Sequence, residues 1–212
     1  MEENCFTSVF YPKSVAIFGA SDEKGKIGNV CMKNLVDAFK GPIYPIHPSK
    51  TEIMGRKAYS KIGDVPEKVD LALICVPAEK VPSIIEEGGQ NGLKAAVVIT
   101  SGFAEAGSQG KILQENLVRK AKDGEVRVIG PNCFGIYNCN FGLNASIAVG
   151  IPQAGGKISF ITHSGAYGMA IYTFAMDHGL RFAKIASLGN KCDIQDYELI
   201  KYLGEDAETR VI

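Results

Sequence analysis

The residues best suited to chemistry lie in short glycine-bearing stretches. The first is Gly19-Ala20-Ser21-Asp-Glu-Lys-Gly25-Lys26-Ile27-Gly28, which follows the apolar run Ser14-Val-Ala-Ile-Phe and opens an amphipathic segment. A strand, a glycine loop and a helix start together bind phosphate. The first turn of a helix offers unpaired N–H groups at the positive end of its dipole, and glycine lets the backbone come close to the ligand. A basic residue, Lys50, ends the stretch His47-Pro-Ser-Lys. Further along lie Val76-Pro77-Ala78, Thr100-Ser101-Gly102, Asn132-Cys133, His163-Ser164-Gly165 and Gly189-Asn190.

The elements that must position these residues follow from periodicity. Strands are expected over residues 14–19, 42–46, 69–76, 94–100 and 126–130, and helices over about 27–40, 80–90 and 109–122. In the first helix Ile27, Val30, Cys31, Leu35, Val36 and Phe39 fall at helical spacing, and Gly41-Pro42 ends it. Pro82 is tolerable only in a first turn. The run Val69-Asp-Leu-Ala-Leu-Ile-Cys-Val76 has the continuity of a parallel strand buried on both faces. Alternation of strand and helix predicts a doubly wound, Rossmann-like parallel sheet, with ligands outside the carboxyl ends of its strands. The glycine- or proline-bearing loops up to Asn132-Cys133 each follow a strand of this sheet, so they are expected to converge on one sheet edge.

Residues 1–13 read as a lead-in. Residues 136–156, rich in Gly and Asn, read as an irregular crossover between a domain at 1–153 and a second at 154–212. The second begins with strands at 157–162 and 181–188, helices to about 177 and over 195–203, and a strand start at 209–212. These elements are too few to cover a sheet on both faces. The sequence is therefore expected to be a piece cut inside its second domain, or one that a partner completes.

The 212 residues are 46% hydrophobic and 22% charged, as a packed core requires. Lys plus Arg and Asp plus Glu are equal at 23, which argues against a nucleic-acid or membrane surface. No apolar run reaches the roughly 18 residues of a membrane span and no signal-peptide core is present, so a cytoplasmic protein is expected. The six cysteines, Cys5, Cys31, Cys75, Cys133, Cys139 and Cys192, form no C-x-x-C pair. Reduced thiols and no metal site are expected.

The topology suggests NAD, but two features oppose it. The loop is G-x5-G-x2-G rather than G-x-G-x-x-G. The end of the second strand carries Lys50 where an NAD site wants an acid for the ribose hydroxyls. A lysine there suits an extra ribose phosphate, in NADP or coenzyme A, unless it is a solvated surface residue. Thr162-His-Ser164-Gly-Ala fails the G-x-S-x-G elbow of serine hydrolases. Cys133 is either a reactive thiol or a packed small residue.

Gly19-Ala-Ser with Gly25-Lys26-x-Gly28, Val76-Pro-Ala78, Ser101-Gly-Phe-Ala-Glu105, Gly130-Pro-Asn-Cys-Phe-Gly135 and His163-Ser-Gly-Ala166 occur in that order. The set closely resembles the nucleoside-diphosphate-forming (ADP-forming) acyl-CoA synthetases, relatives of the succinyl-CoA synthetase α subunit, over residues 11–212. The resemblance implies a CoA-binding Rossmann-like domain followed by a flavodoxin-like ligase domain, here incomplete. It implies that Ser21 to Gly28 and Lys50 hold the nucleotide end of CoA. Val76, Pro77, Ala78, Thr100, Ser101 and Gly102 would line the pantetheine path. Asn132 and Cys133 would lie near the thioester, and Ser164, Gly165, Gly189 and Asn190 around a phosphate. His163 would be a neighbour of that phosphate. The family exchanges an acyl-CoA thioester for an acyl phosphate. A histidine then passes the phosphoryl group to ADP, with Mg, on an ATP-grasp domain or β subunit. The resemblance places that histidine beyond Ile212, so no catalytic residue is expected in the chain and the piece alone should be inactive. A small carboxylic acid and a homo- or hetero-oligomer are also implied. Two other readings stand beside it: a non-catalytic CoA- or nucleotide-binding regulatory module, and an NAD(P) oxidoreductase.

Overall fold

The computed structural model describes residues 5–148, 150 and 153–212. In chain order it contains α1 (Cys5–Phe10), β1 (Val15–Phe18), α2 (Ile27–Ala38), β2 (Ile43–Ile46), the small pair β3 (Glu52–Ile53) and β4 (Arg56–Lys57), and β5 (Leu71–Ile74). Then come α3 (Val81–Gln90), β6 (Ala95–Val98), α4 (Ser108–Asp123), β7 (Arg127–Ile129), β8 (Gly135–Asn138) and β9 (Leu143–Ser146). The remainder is β10 (Ile158–Thr162), α5 (Gly165–Asp177), β11 (Phe182–Ser187) and α6 (Asp196–Glu205).

The first sheet has the order β2-β1-β5-β6-β7, and every pair in it is parallel. The expected convergence of loops on one edge therefore holds. The chain winds outward from β1 in both directions, so the switch point, where such folds open a crevice, lies between β1 and β5. Alternation along the strands divides the core. Val15, Ile17, Leu71, Leu73, Ala95 and Val97 face one cluster, while Ala16, Phe18, Ala72, Ile74, Ala96 and Val98 face the other. On the second face, Ile85 of α3 and Leu117 of α4 cover the sheet. On the first, α1 and α2 cover it together with residues of the second sheet, including Ile136, Leu143, Ala186 and Leu199 of the adjoining α6.

Two expectations are corrected. The stretch read as an irregular crossover contains the antiparallel hairpin β8–β9, although residues 149, 151 and 152 of it lie outside the described residues. This hairpin joins the second sheet, whose order is β10-β11-β8-β9. The later strands are thus not left to build a sheet by themselves. β8 runs antiparallel to β11, whereas β10 and β11 are parallel, so the sheet is mixed. The strand start expected at 209–212 is a single bridge between Val211 and Ile158. The lead-in is the second correction. Phe6, Val9 and Phe10 recur at helical spacing and are buried in α1, where Phe6 and Phe10 meet the Tyr202 ring at centroid distances of 4.9 and 5.6 Å. Residues 1–4 lie outside the described residues.

Polar ties fix the two sheets together. The buried Asn34 of α2 donates from Nδ2 to the carbonyls of Ser146 and Ala148 at 2.8 and 2.9 Å. Asp193, in the loop after β11, accepts from Arg127 Nε at 3.0 Å and Val128 N at 2.8 Å. Lys184 of β11 is fully buried, with Nζ 2.7 Å from Asp206 and 2.8 Å from Glu208, and Tyr11 donates to Glu208 at 2.6 Å. Burial works against that ammonium. The hydrogen bonds to Asp206, Glu208 and Tyr11 outweigh it and hold its pKa above the ordinary lysine value.

Among the described residues no helix is long and apolar enough to cross a membrane. No group of three or more His, Cys, Asp or Glu among them could hold a metal.

Candidate functional site

β1 ends at Phe18, and the chain turns at Gly19 with φ +82°. A Cβ there would stand 2.6 Å from the Cys75 carbonyl oxygen, so a side chain would push the loop away from the end of β5. Ala20 and Ser21 are buried beneath the loop. Ser21 Oγ accepts from Glu23 N at 3.0 Å, and its carbonyl accepts from the Asn29 side chain at 3.0 Å. Gly25 also has a positive φ, +88°, and Lys26 flanks the start of α2 without a side-chain cap. At Gly28 a Cβ would lie 1.8 Å from the Gly19 oxygen. The first turn of α2 can therefore sit this close to the strand end only because Gly28 has no side chain.

Lys50 reaches this loop from the end of β2. His47 Nδ1 accepts from the amides of Ser49 and Lys50 at 3.2 and 3.1 Å, which folds the turn. Lys50 Nζ then pairs with Asp22 Oδ1. The Lys50 ammonium, with a loop hydrogen bond, holds the Asp22 carboxyl below its ordinary range. The lysine is thus held over the glycine loop, about one-third exposed.

Val76, Pro77 and Ala78 follow β5, and Thr100, Ser101 and Gly102 follow β6. Thr100 Oγ1 donates to the Val76 carbonyl at 2.7 Å, joining the two loops. Gly102, at φ +105°, lies against Ala78, whose Cβ is 3.3 Å from where a Gly102 Cβ would be. Asn132, after β7, has φ +58° and donates its backbone N–H to the Thr100 carbonyl at 2.8 Å.

The second sheet closes the far side. Ser164 caps α5, its Oγ accepting from Tyr167 N at 3.2 Å. Gly189 packs on the 131–132 turn, where its Cβ would lie 2.2 Å from the Pro131 oxygen. Asn190 N donates to that same oxygen at 2.8 Å. His163 Nε2 lies 2.6 Å from Asp196 Oδ1, and Lys191 Nζ lies 2.7 Å from Asp196 Oδ2. The Lys191 hydrogen bond, then that of His163, hold Asp196 below its ordinary range against burial.

A cleft of about 610 Å³ lies between the two sheets. It gathers Ile27, Thr100, Ser101, Asn132, Cys133, Ser164 and Gly165 from the residues named by sequence. The glycine loop and Lys50 lie beyond its Ile27 end. Gly102 and the 76–78 loop adjoin Thr100, and Gly189 and Asn190 stand behind Asn132. Cys133 is 5% exposed, donates toward the Val98 carbonyl at 3.3 Å and is pushed up to about 12 by burial. It therefore remains a thiol at neutral pH and packs at the turn. Ile99, Phe134, Ile147 and Met169 give the cleft an apolar wall to which sequence reading assigned no role. Nothing in their residue type distinguishes them from core. Glu105, inside a quoted motif, was likewise given no role.

Fold and site together define an α/β protein in which the glycine loop opens α2 beside an intersheet cleft that the N-terminus of α5 also lines. The comparisons with known proteins agree. Residues 13–138 match the CoA binding domain, and residues 155–212 match the succinyl-CoA ligase like flavodoxin domain. The chain belongs to the CoA-binding domain family, as its motif order suggested. The acetate–CoA ligase [ADP-forming] of Methanocaldococcus jannaschii is 46% identical over 96% of this chain and 28% of its own length. The acetate–CoA ligase [ADP-forming] I subunit alpha of Pyrococcus furiosus is 39% identical over 97% of this chain and 45% of its own. The chain thus spans less than half the length of these relatives. Among solved structures, the dinucleotide forming acetyl-coenzyme A synthetase 1 of Ca. Korarchaeum cryptofilum, in complex with phosphate and ADP, superposes with a TM-score of 0.92. It is 40% identical and covers 97% of this chain and 44% of its own.

Proposed function

We propose that the chain is the CoA-binding portion of an ADP-forming acyl-CoA synthetase, with residues 1–153 as the CoA-binding unit and 154–212 as part of the ligase unit. The observation that carries the reading is the continuity of the site. The glycine loop under Lys50 leads through Ile27 into the cleft bounded by Thr100, Asn132 and Ser164. CoA is a long ligand with a phosphorylated nucleotide at one end and a thiol at the other, and this path suits both.

In this reading the amides of residues 19–28 hold the pyrophosphate and Lys50 the 3′-phosphate. The 76–78 and 100–102 loops flank the pantetheine arm. The thioester lies near Asn132, and inorganic phosphate sits at the start of α5, where the Ser164–Gly165 turn and the helix dipole favour an anion. A phosphate oxygen attacks the acyl carbonyl, the C–S bond breaks, and CoA leaves as thiolate with the acyl phosphate formed. Asn132 Nδ2, which spends one N–H on Asn190 Oδ1 at 3.3 Å, has a second N–H with which to stabilise charge developing on the carbonyl oxygen. Onward transfer to ADP, with Mg²⁺, belongs to a histidine and an ATP-grasp domain or β subunit outside these residues, in a homo- or hetero-oligomeric cytoplasmic enzyme acting on a small carboxylic acid.

Calorimetric titration with CoA and NADP tests the reading. CoA should bind and NADP should not. Tight NADP binding without CoA binding would replace it with the oxidoreductase reading.

A further inference from the structure

Glu105 takes no part in the steps above, yet its two carboxylate oxygens point to different halves of the site. It stands in the single turn Ala104–Ala106 after β6. Oε1 accepts from the amides of Gly102 at 2.6 Å and Phe103 at 3.2 Å. Oε2 accepts from the side-chain amide of Asn190, which belongs to the loop after β11. Asn190 Nδ2 also donates to Gln114 Oε1 of α4 at 2.9 Å, while its Oδ1 accepts from Asn132 Nδ2 at 3.3 Å. A chain of hydrogen bonds therefore runs from the Gly102 loop through Glu105 and Asn190 to Asn132.

Gly102, at φ +105°, lies in a conformation few residues adopt and has no side chain with which to hold itself. The Glu105 carboxylate does that for it. Burial alone would raise the Glu105 pKa. The Asn190 side chain and the Gly102 and Phe103 amides outweigh burial and keep it below the ordinary range, so the acceptor stays ionised at neutral pH.

We propose that Glu105 is a positioning residue for the thiol-bearing arm of CoA. It fixes the 100–102 edge of the channel and locks that edge to Asn132 at the reacting end, so the arm meets a preset path. Ordering is then complete before the ligand arrives, and binding does not bear that cost. This inference rests on the CoA reading.

The test compares two probes on this chain: CoA, and adenosine 3′,5′-bisphosphate, which contains the nucleotide but no pantetheine arm. Glu105→Gln sets an amide donor against the Asn190 donor. Asn190→Asp sets one carboxylate against another. In the double variant the amide at 105 donates to the carboxylate at 190, whose second oxygen still accepts from Asn132, and Gln114 turns its side-chain amide to donate where it accepted from Asn190. Each single variant should weaken CoA about tenfold, the scale of one charge-assisted hydrogen bond. Each should leave the bisphosphate within about twofold, and the double variant should return CoA to within about threefold of wild type. Equal losses for both probes would mean general loosening and overturn the proposal. So would unchanged CoA affinity in the singles, or a double variant as weak as the two losses combined. A wild-type chain that binds the bisphosphate but gains nothing from the arm refutes the positioning role alone. A wild-type chain that binds neither probe refutes the CoA reading and this inference with it.

Discussion

Replacing Lys50 with alanine isolates one phosphate of the ligand. In the free protein Lys50 is paired with Asp22, and the two side chains are 34% and 49% exposed. An ion pair this open contributes about 0–1 kcal/mol. A hydrogen bond from an ammonium to a ligand phosphate is worth about 1.5–3 kcal/mol. Binding CoA exchanges the first for the second, or shares the ammonium between them. The net gain is therefore about 1–2 kcal/mol, or roughly five- to thirtyfold in Kd. Lys50→Ala should weaken CoA by that factor and leave dephospho-CoA, which lacks the 3′-phosphate, within about twofold. The wild-type preference for CoA should shrink as salt rises from about 0.05 to 0.5 M, since the pair is open to screening. Asp22→Asn frees the lysine and should tighten CoA. Calorimetry on the three proteins with both ligands gives the full comparison. Equal losses for CoA and dephospho-CoA in Lys50→Ala would remove Lys50 from the 3′-phosphate and refute the placement of the nucleotide.

Three other outcomes follow from the geometry. Gly28→Ala would put a methyl 1.8 Å from the Gly19 oxygen, so it should abolish detectable CoA binding and lower stability by about 1–3 kcal/mol in urea unfolding. Lys184→Met leaves Asp206 and Glu208 without their buried partner and should cost about 3–5 kcal/mol. Its pH dependence has a definite sign. Both carboxyls have folded pKa values below their ordinary 3.8 and 4.5, the bonds with Lys184 outweighing burial, so their stabilisation is present above those values and is lost as pH falls through the folded ones. The wild type should lose stability steeply below about pH 4.5, and Lys184→Met less steeply, as denaturant midpoints at pH 3 to 7 would reveal. Alkylation at pH 8 followed by mass spectrometry should leave Cys133 unmodified, since burial pushes its thiol up to about 12; rapid labelling there in the folded protein would contradict its packed role.

Much of the fold was legible because the first sheet is built from apolar runs. Leu71 to Ile74 and Ala95 to Val98 are buried on both faces and read as nothing else. The hairpin β8–β9 was hidden for the opposite reason. Its buried strand residues include Asn138, Asn144 and Ser146, which satisfy themselves with Phe10, Gly150 and one another rather than displaying an apolar pattern. The same division holds at the site. Thr100 and Asn132 follow neighbouring strands of one parallel sheet, so topology alone brings them together, whereas Ser164 joins them from the second sheet through the packing of the two. The links from Lys50 to Asp22 and from Glu105 to Asn190 join residues 28 and 85 positions apart, and no local pattern signals such a meeting.

That hairpin also limits how the molecule can be divided. Covalent order places β8–β9 directly after the Asn132 turn, whereas spatial order makes them half of the other sheet. A chimera that exchanges residues 154–212 with those of a relative would ask β11 to pair with a foreign β8. A truncation at 153 would strip β8 of its β11 neighbour and expose that strand as a sheet edge prone to aggregation. A boundary that keeps the second sheet whole lies before Gly135, within or beside the turn after β7 that carries Asn132.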